Sequence, residues 1–139
     1  MGAQGNDEAE SRRLATLLVQ RAERAKVAFA EAIEPYGLPA HLARALLLLE
    51  TPMPQFELAE QLTCDRSYVT GLADGLEERG LVTRSTGSDR RMKILVLTPS
   101  GEELRVRLAH AVAEHSPVTR LTPEERGLLD ALLARLAED

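Results

Sequence analysis

Apolar residues recur at three- and four-residue steps along most of this chain, and the phase resets at a few breakers. Leu14, Leu17, Leu18, Ala22, Ala25, Ala28, Phe29 and Ala32 follow one another in this way, with no proline between Glu8 and Glu34. That spacing predicts one long amphipathic helix, ended by Pro35-Tyr36-Gly37. A second helix is predicted over about 39–50, carrying Leu42, Ala45, Leu46 and Leu49, and Thr51-Pro52-Met53-Pro54 reads as a connector. Two shorter helices follow across a tight join. QFELAEQL (55–62) sets Leu58, Ala59 and Leu62 on one face, and Thr63-Cys64-Asp65 is the turn. RSYVTGLADGLEER (66–79) then carries Val69, Leu72, Ala73 and Leu76 at i, i+3, i+4, i+7, a single stripe to bury. Asp65 is expected to cap this helix through its carboxylate and Gly80 to end it.

The period changes after Gly80. LVTRST (81–86) and MKILVLT (92–98) are β-branched and apolar runs on either side of a Gly87-to-Arg91 tip, which predicts a hairpin. Thr98-Pro99 opens a further helix to about residue 114, and Ser116-Pro117 breaks it. Thr122 with Glu125 three residues on forms a capping-box pattern ahead of a last helix bearing Leu128, Leu129, Leu132, Leu133 and Leu136. Residues 1–8, with little to bury, are expected to be a disordered start. The rest, 9–139, reads as one domain that is mainly α with a small β-hairpin wing.

Composition narrows the reading. At 139 residues, 44% hydrophobic and 28% charged, the chain suits a single soluble domain. No apolar run reaches the roughly 20 residues of a membrane span, and residues 1–13 lack the apolar stretch of a signal peptide, so a cytoplasmic protein without membrane partners is expected. The single cysteine, Cys64, excludes an intrachain disulfide and a CxxC metal site. It stands just before a helix N-terminus, where a thiol pKa is lowered, but a lone cysteine there is expected to pack rather than sense oxidants. His110 and His115 are five apart and do not form the usual i, i+4 ligand pair, so no metal is expected. No GxSxG, phosphate loop or HExxH is present; the expectation is a protein that is not an enzyme and carries no cofactor.

The net charge of −5 argues against blanket binding to nucleic acid, yet the charge is uneven. Between Arg84 and Lys93 the cations Arg84, Arg90, Arg91 and Lys93 face one acid, Asp89. Helix, three-residue turn, helix and hairpin, in that order, is a winged helix-turn-helix, here spanning about 38–98. Such a helix fits the major groove, and a basic hairpin tip reaches a neighbouring minor groove, where a narrow A·T tract attracts arginine. The apolar stripes of 9–34 and 99–139 exceed what so small a unit can cover, which predicts a helical dimerisation region and a homodimer.

The stretch 57–104 resembles the MarR family of bacterial transcription regulators. The resemblance is carried by ELAEQL, by Asp65-Arg-Ser-x-Val-Thr70, by Leu76-Glu-Glu-Arg-Gly-Leu-Val-x-Arg84, by Asp89-x-Arg91, and by Leu97-Thr98-x-x-Gly101. It implies a homodimer that binds a palindromic operator on double-stranded DNA and is released by a small phenolic or other aromatic effector, or by an oxidant. It implies that Ser67, Tyr68 and Thr70 lie at recognition-helix contact positions, that Arg91 is the wing arginine entering the minor groove, and that Asp89 orients it. Arg66, Gly71, Arg84, Arg90 and Lys93 complete the expected DNA-binding set. Phe29, Tyr36, His41 and Arg44 are candidates for an effector crevice. Gly71 and Gly75 depart from the pattern, because many relatives are basic there. Helical phase puts both glycines on the exposed face, each costing about 1 kcal/mol relative to Ala. They motivate a second reading, a winged-helix protein-interaction module that has lost specific DNA binding.

Overall fold

The computed structural model describes residues 2–89 and 91–137. The elements run α1 (Gly2–Ile33), a 3-10 turn (Glu34–Tyr36), α2 (Ala40–Leu48), β1 (Met53–Pro54), α3 (Gln55–Leu62), α4 (Arg66–Glu78), β2 (Val82–Thr86), β3 (Lys93–Leu97), α5 (Pro99–His115), a second 3-10 turn (Pro117–Arg120) and α6 (Pro123–Leu136). The chain is mainly helical with a small antiparallel sheet, a winged helix-turn-helix. No helix among the described residues is long and apolar enough to cross a membrane.

The chain divides into two compact units, one of 32–112 and one formed by 1–31 with 113–139. The first holds the core. Leu42, Ala43, Ala45 and Leu46 of α2, Leu58 of α3, Val69, Leu72, Ala73 and Leu76 of α4, Val82 of β2 and Leu95 of β3 are all buried. The four-residue stripe of α4 is therefore the packing face that its spacing predicts. Its end is a Schellman motif: Gly80, at φ +72, donates to the Glu77 carbonyl, and Leu81 N–H donates to the Leu76 carbonyl. The turn before α4 contains Thr63 at φ 53, a left-handed conformation unusual for a β-branched residue.

The sheet has order β1-β3-β2, so the hairpin gains a third strand. Met53 pairs with Leu95 and Pro54 with Ile94, while β2 and β3 run in register from Val82 opposite Leu97 to Thr86 opposite Lys93. The two-residue β1 lies within the stretch read as a plain connector. Its prolines hid it: Pro54 has no N–H to donate, which confines such a residue to an edge strand.

The base of the hairpin is locked to α5. Thr98 N–H donates to the Leu81 carbonyl (3.0 Å), its hydroxyl donates to the Gly80 carbonyl (2.6 Å), and the same hydroxyl oxygen accepts from Gly101 N–H (3.0 Å). A Cβ on Gly101 would collide with the backbone carbonyl of Leu81. The Leu-Thr-x-x-Gly pattern is thus a joint in which α5 leaves the sheet against bare main chain. Arg105 of α5, 15% exposed, adds ion pairs to Glu102 (2.8 Å) and to Glu50 (3.8 Å).

In the second unit, α1 begins at Gly2, so residues 2–8, expected to be disordered, form its first turns and are exposed throughout. Gln4, Glu8 and Glu10 are adequate helix formers, and a helix already nucleated over the following two dozen residues extends at low cost. α6 opens with the full capping box: Thr122 Oγ1 accepts from Glu125 N–H (3.2 Å) and Glu125 Oε1 accepts from Thr122 N–H (2.8 Å). That pairing with main-chain N–H holds the Glu125 carboxyl below the usual glutamate range. α6 buries none of its residues; Leu128 and Leu136 are each 66% exposed.

Candidate nucleic-acid interface

Burying Val69, Leu72, Ala73 and Leu76 turns the opposite side of α4 outward. Ser67, Thr70, Gly71 and Asp74 form a second i, i+3, i+4, i+7 stripe, and all four are exposed. Thr70 donates its hydroxyl to the Arg66 carbonyl (3.1 Å), and the hydroxyl oxygen keeps its capacity to accept. Tyr68 stands off this stripe, half-exposed on the flank next to α2. Asp65 occupies the N-cap with extended backbone, but its side chain makes no capping bond, contrary to expectation. The residue is placed by the turn from Thr63 rather than by its carboxylate.

The two glycines of α4 differ. A Cβ on Gly71 would meet nothing, as the exposed position predicts. Gly75 instead faces α2, where a Cβ would stand 3.1 Å from one Leu42 methyl and 3.3 Å from the other. Helical phase alone misplaced it, because α2 reaches over the flank of the stripe. Gly75 is a crossing residue that lets α2 and α4 approach.

Arg84, one of the expected DNA-binding residues, pairs within the chain. Its guanidinium lies along α4, with Nη2 2.6 Å from Asp74 Oδ1 and 3.1 Å from the Thr70 carbonyl, and Nη1 3.5 Å from Glu77 Oε1. The side chain is 20% exposed. Arg84 therefore ties β2 to α4 and offsets an acid on the outward stripe. Asp74 and Glu77 were missed as its partners, since the signal is only two acids ten and seven positions upstream.

Asp89, expected to orient Arg91, bonds to its main chain. Its Oδ1 accepts from the backbone N–H of Arg91 (3.0 Å), and its own carbonyl accepts from Met92 N–H (2.9 Å). The carboxylate shapes the turn that presents Arg91, through the main chain. Arg91 and Lys93 are exposed at the tip. Arg90 lies outside the described residues.

Of the effector candidates, His41 and Arg44 line one notch of about 160 Å³ with Leu62, Tyr68 and Leu72. Tyr36, half-buried at the end of the first 3-10 turn, does not line this notch, and Phe29 belongs to the other unit. Cys64 is half-buried in the turn beside Phe56, Ala59 and Arg66.

Comparison with known proteins gives this geometry a lineage. The sequence profile of the MarR family matches residues 45–93. The structure of the transcriptional repressor CouR on a 23-mer DNA duplex is 32% identical, the match covering 92% of this chain and 94% of that one, with a TM-score of 0.79. The chain belongs to the MarR family. AbsC, a MarR family regulator from Streptomyces coelicolor, is similar at 26% identity over 91% of this chain and 90% of its own, with a TM-score of 0.79. CouR from Rhodococcus jostii RHA1 has also been solved with p-coumaroyl-CoA, at 26% identity, 89% and 91% coverage and a TM-score of 0.78. A putative transcriptional regulatory protein for the hcr operon of Thauera aromatica is 38% identical over 87 residues, 60% of this chain. The chain spans about half the length of the curated relatives it matches. The MarR pattern residues fall where the joint, the turn and the wing need them: Thr98 and Gly101 at the hairpin base, Asp89 in the tip, Arg84 against α4.

Proposed function

We propose that the chain is a homodimeric, sequence-specific DNA-binding transcriptional regulator, acting as a repressor whose hold on DNA is changed by a small aromatic molecule. The observation that carries this reading is the outward stripe of α4, polar or bare from Ser67 to Asp74, beside a wing whose exposed tip carries Arg91 and Lys93. α4 has 13 residues, about 20 Å of helix, and fits lengthwise into a major groove about 12 Å wide. Ser67, Thr70 and the main chain at Gly71 would face base edges, with Arg66 at the backbone and Arg91 in the adjacent minor groove.

The dimer is supported by apolar side chains that the chain leaves uncovered. In α1, Leu14, Leu18 and Val19 are each half-exposed or more; in α6, Leu128, Leu132, Leu133 and Leu136 are likewise exposed. A second copy covers such faces. Residues 9–34 and 99–139 would then form the dimerisation part, and two copies of α4 would meet the half-sites of a palindromic operator about 10 bp apart. The aromatic effector is supported by CouR, solved with p-coumaroyl-CoA.

The test is a binding titration on DNA from immediately upstream of the protein's own coding region, repeated across a salt series. A saturable complex that weakens steeply with salt and exceeds binding to unrelated duplex is the expected result. Equal, weak binding to every duplex would reject the reading and favour a protein-interaction module, for which the acids Asp74, Glu77 and Glu78 on α4 would be the recognition groups.

A further inference from the structure

α2 brings His41 and Arg44, one helical turn apart, to the flank of α4 on which Tyr68 stands, and Leu62 and Leu72 complete a notch of about 160 Å³. We propose that this notch seats a phosphate of the DNA backbone beside the groove that α4 enters. The inference rests on the DNA-binding reading above and extends the contact surface to α2.

Three observations point to a backbone phosphate. The first is chemical. The lining offers a guanidinium, an imidazole and a phenol hydroxyl, and contains no carboxylate, although acids outnumber Lys and Arg by 22 to 17 in the chain. Arg and Tyr side chains are habitual donors to phosphate oxygens. The second is geometric. His41 and Arg44 are exposed, and Tyr68 is 50% exposed. A small organic ligand needs most of its surface covered, which a notch walled by exposed side chains does not provide. A phosphate held in a duplex needs donors on one side only. The third is continuity. Tyr68 follows Ser67 directly, so the notch adjoins the outward stripe of α4. Leu62 and Leu72 line the same notch, and apolar surface of this kind suits the stems of long polar side chains.

The distinguishing property of a phosphate contact is that it is blind to sequence and sensitive to salt. Replacing one cationic contact lowers the slope of log K against log salt by about 0.9. The experiment measures operator and unrelated duplex binding by fluorescence anisotropy from ~50 to ~200 mM salt for the wild-type chain, Arg44→Ala, Arg44→Lys, Tyr68→Phe and Arg91→Ala. Arg44→Ala is expected to weaken both duplexes by the same several-fold factor and to lower the slope. Arg44→Lys should keep the slope, and Tyr68→Phe should weaken binding with the slope unchanged. Arg44 is exposed, so the melting temperature of Arg44→Ala should match the wild type; a variant that melts early is replaced in the comparison by Arg44→Gln.

Wild-type affinity and slope in Arg44→Ala, alongside weakened binding by Arg91→Ala, would overturn the notch and leave the DNA-binding reading standing. Failure of the wild type to bind any duplex would remove both. Benzoate serves as the probe for the other occupant. Millimolar benzoate shifting the amide resonances of Arg44 and Tyr68, with the salt slope of Arg44→Ala equal to that of the wild type, would assign the notch to a small acid and overturn the proposal.

Discussion

Gly101 and Asp89 both act through main chain. Gly101 is the sharpest case. Its Cα rests against the Leu81 carbonyl, leaving no room for a Cβ, and the obstacle is backbone rather than a side chain that can rotate away. Gly101→Ala is expected to cost about 3 kcal/mol, at the upper end for overpacking, read from the midpoint of urea denaturation. Asp89 poses a question of sign. Removing an acid from a DNA-facing tip should tighten binding if only the field matters. Its carboxylate accepts from Arg91 N–H, so its loss should loosen the turn that presents Arg91. Asp89→Ala is therefore expected to weaken operator binding, as Arg91→Ala should by about 1–3 kcal/mol, both with unchanged helix content. Tighter binding by Asp89→Ala in the same titration would reduce the tip to a merely basic loop.

At the scale of elements, α4 is held on one flank by α2 and on the other by Arg84. The two glycines report on the first flank. Gly71→Ala should gain close to the full helix-propensity difference, about 1 kcal/mol, because its Cβ meets nothing. Gly75→Ala should gain distinctly less or lose stability, because its Cβ presses on both Leu42 methyl groups. Thermal melts of the two variants check this difference, and equal gains would mean that α2 yields freely. The start of α6 makes a prediction about pH. The Glu125 carboxyl is held low by accepting from Thr122 main-chain and hydroxyl groups. A group with a depressed folded-state pKa stabilises above its unfolded value and loses that contribution as pH falls through the folded one. Acidification below the ordinary glutamate range should fray the first turn of α6, seen as faster amide exchange at Glu125 and Arg126. Glu125→Gln, which cannot ionise, should remove that pH dependence.

At the scale of the whole molecule, the decisive quantity is the apolar surface left on α1 and α6. Leu128, 66% exposed, and Leu132, 58% exposed, are the side chains a second copy is expected to cover. Sedimentation at ~50 µM should give a species of twice the 15.2 kDa chain mass. Leu128→Glu with Leu132→Glu should shift it to the monomer and weaken operator binding far more than binding to a single half-site, since only the linkage of two copies of α4 is lost. An unchanged dimer would place the contact elsewhere on the terminal helices.

Local regularities were legible in the sequence because they depend on neighbours three or four residues away. The stripe of α4, the Thr122–Glu125 box, the Gly80 stop and the hairpin followed from spacing alone, and the joint spacing of 57–104 carried the family. The outward stripe of α4 is the complement of its apolar one, so its candidate contact residues were legible too. What needed tertiary structure involves partners distant in sequence. Arg84 has the composition of a DNA-binding cation, and only the packing of β2 beside α4 turns it toward Asp74 and Glu77. Gly75 has an exposed phase, and only the crossing of α2 covers it. Met53–Pro54 becomes a strand because β3 offers an edge, which no property of one methionine between two prolines reveals. His41, Arg44 and Tyr68 are ordinary surface residues along the chain; α2 and α4, packed through the same apolar core, set them around one notch.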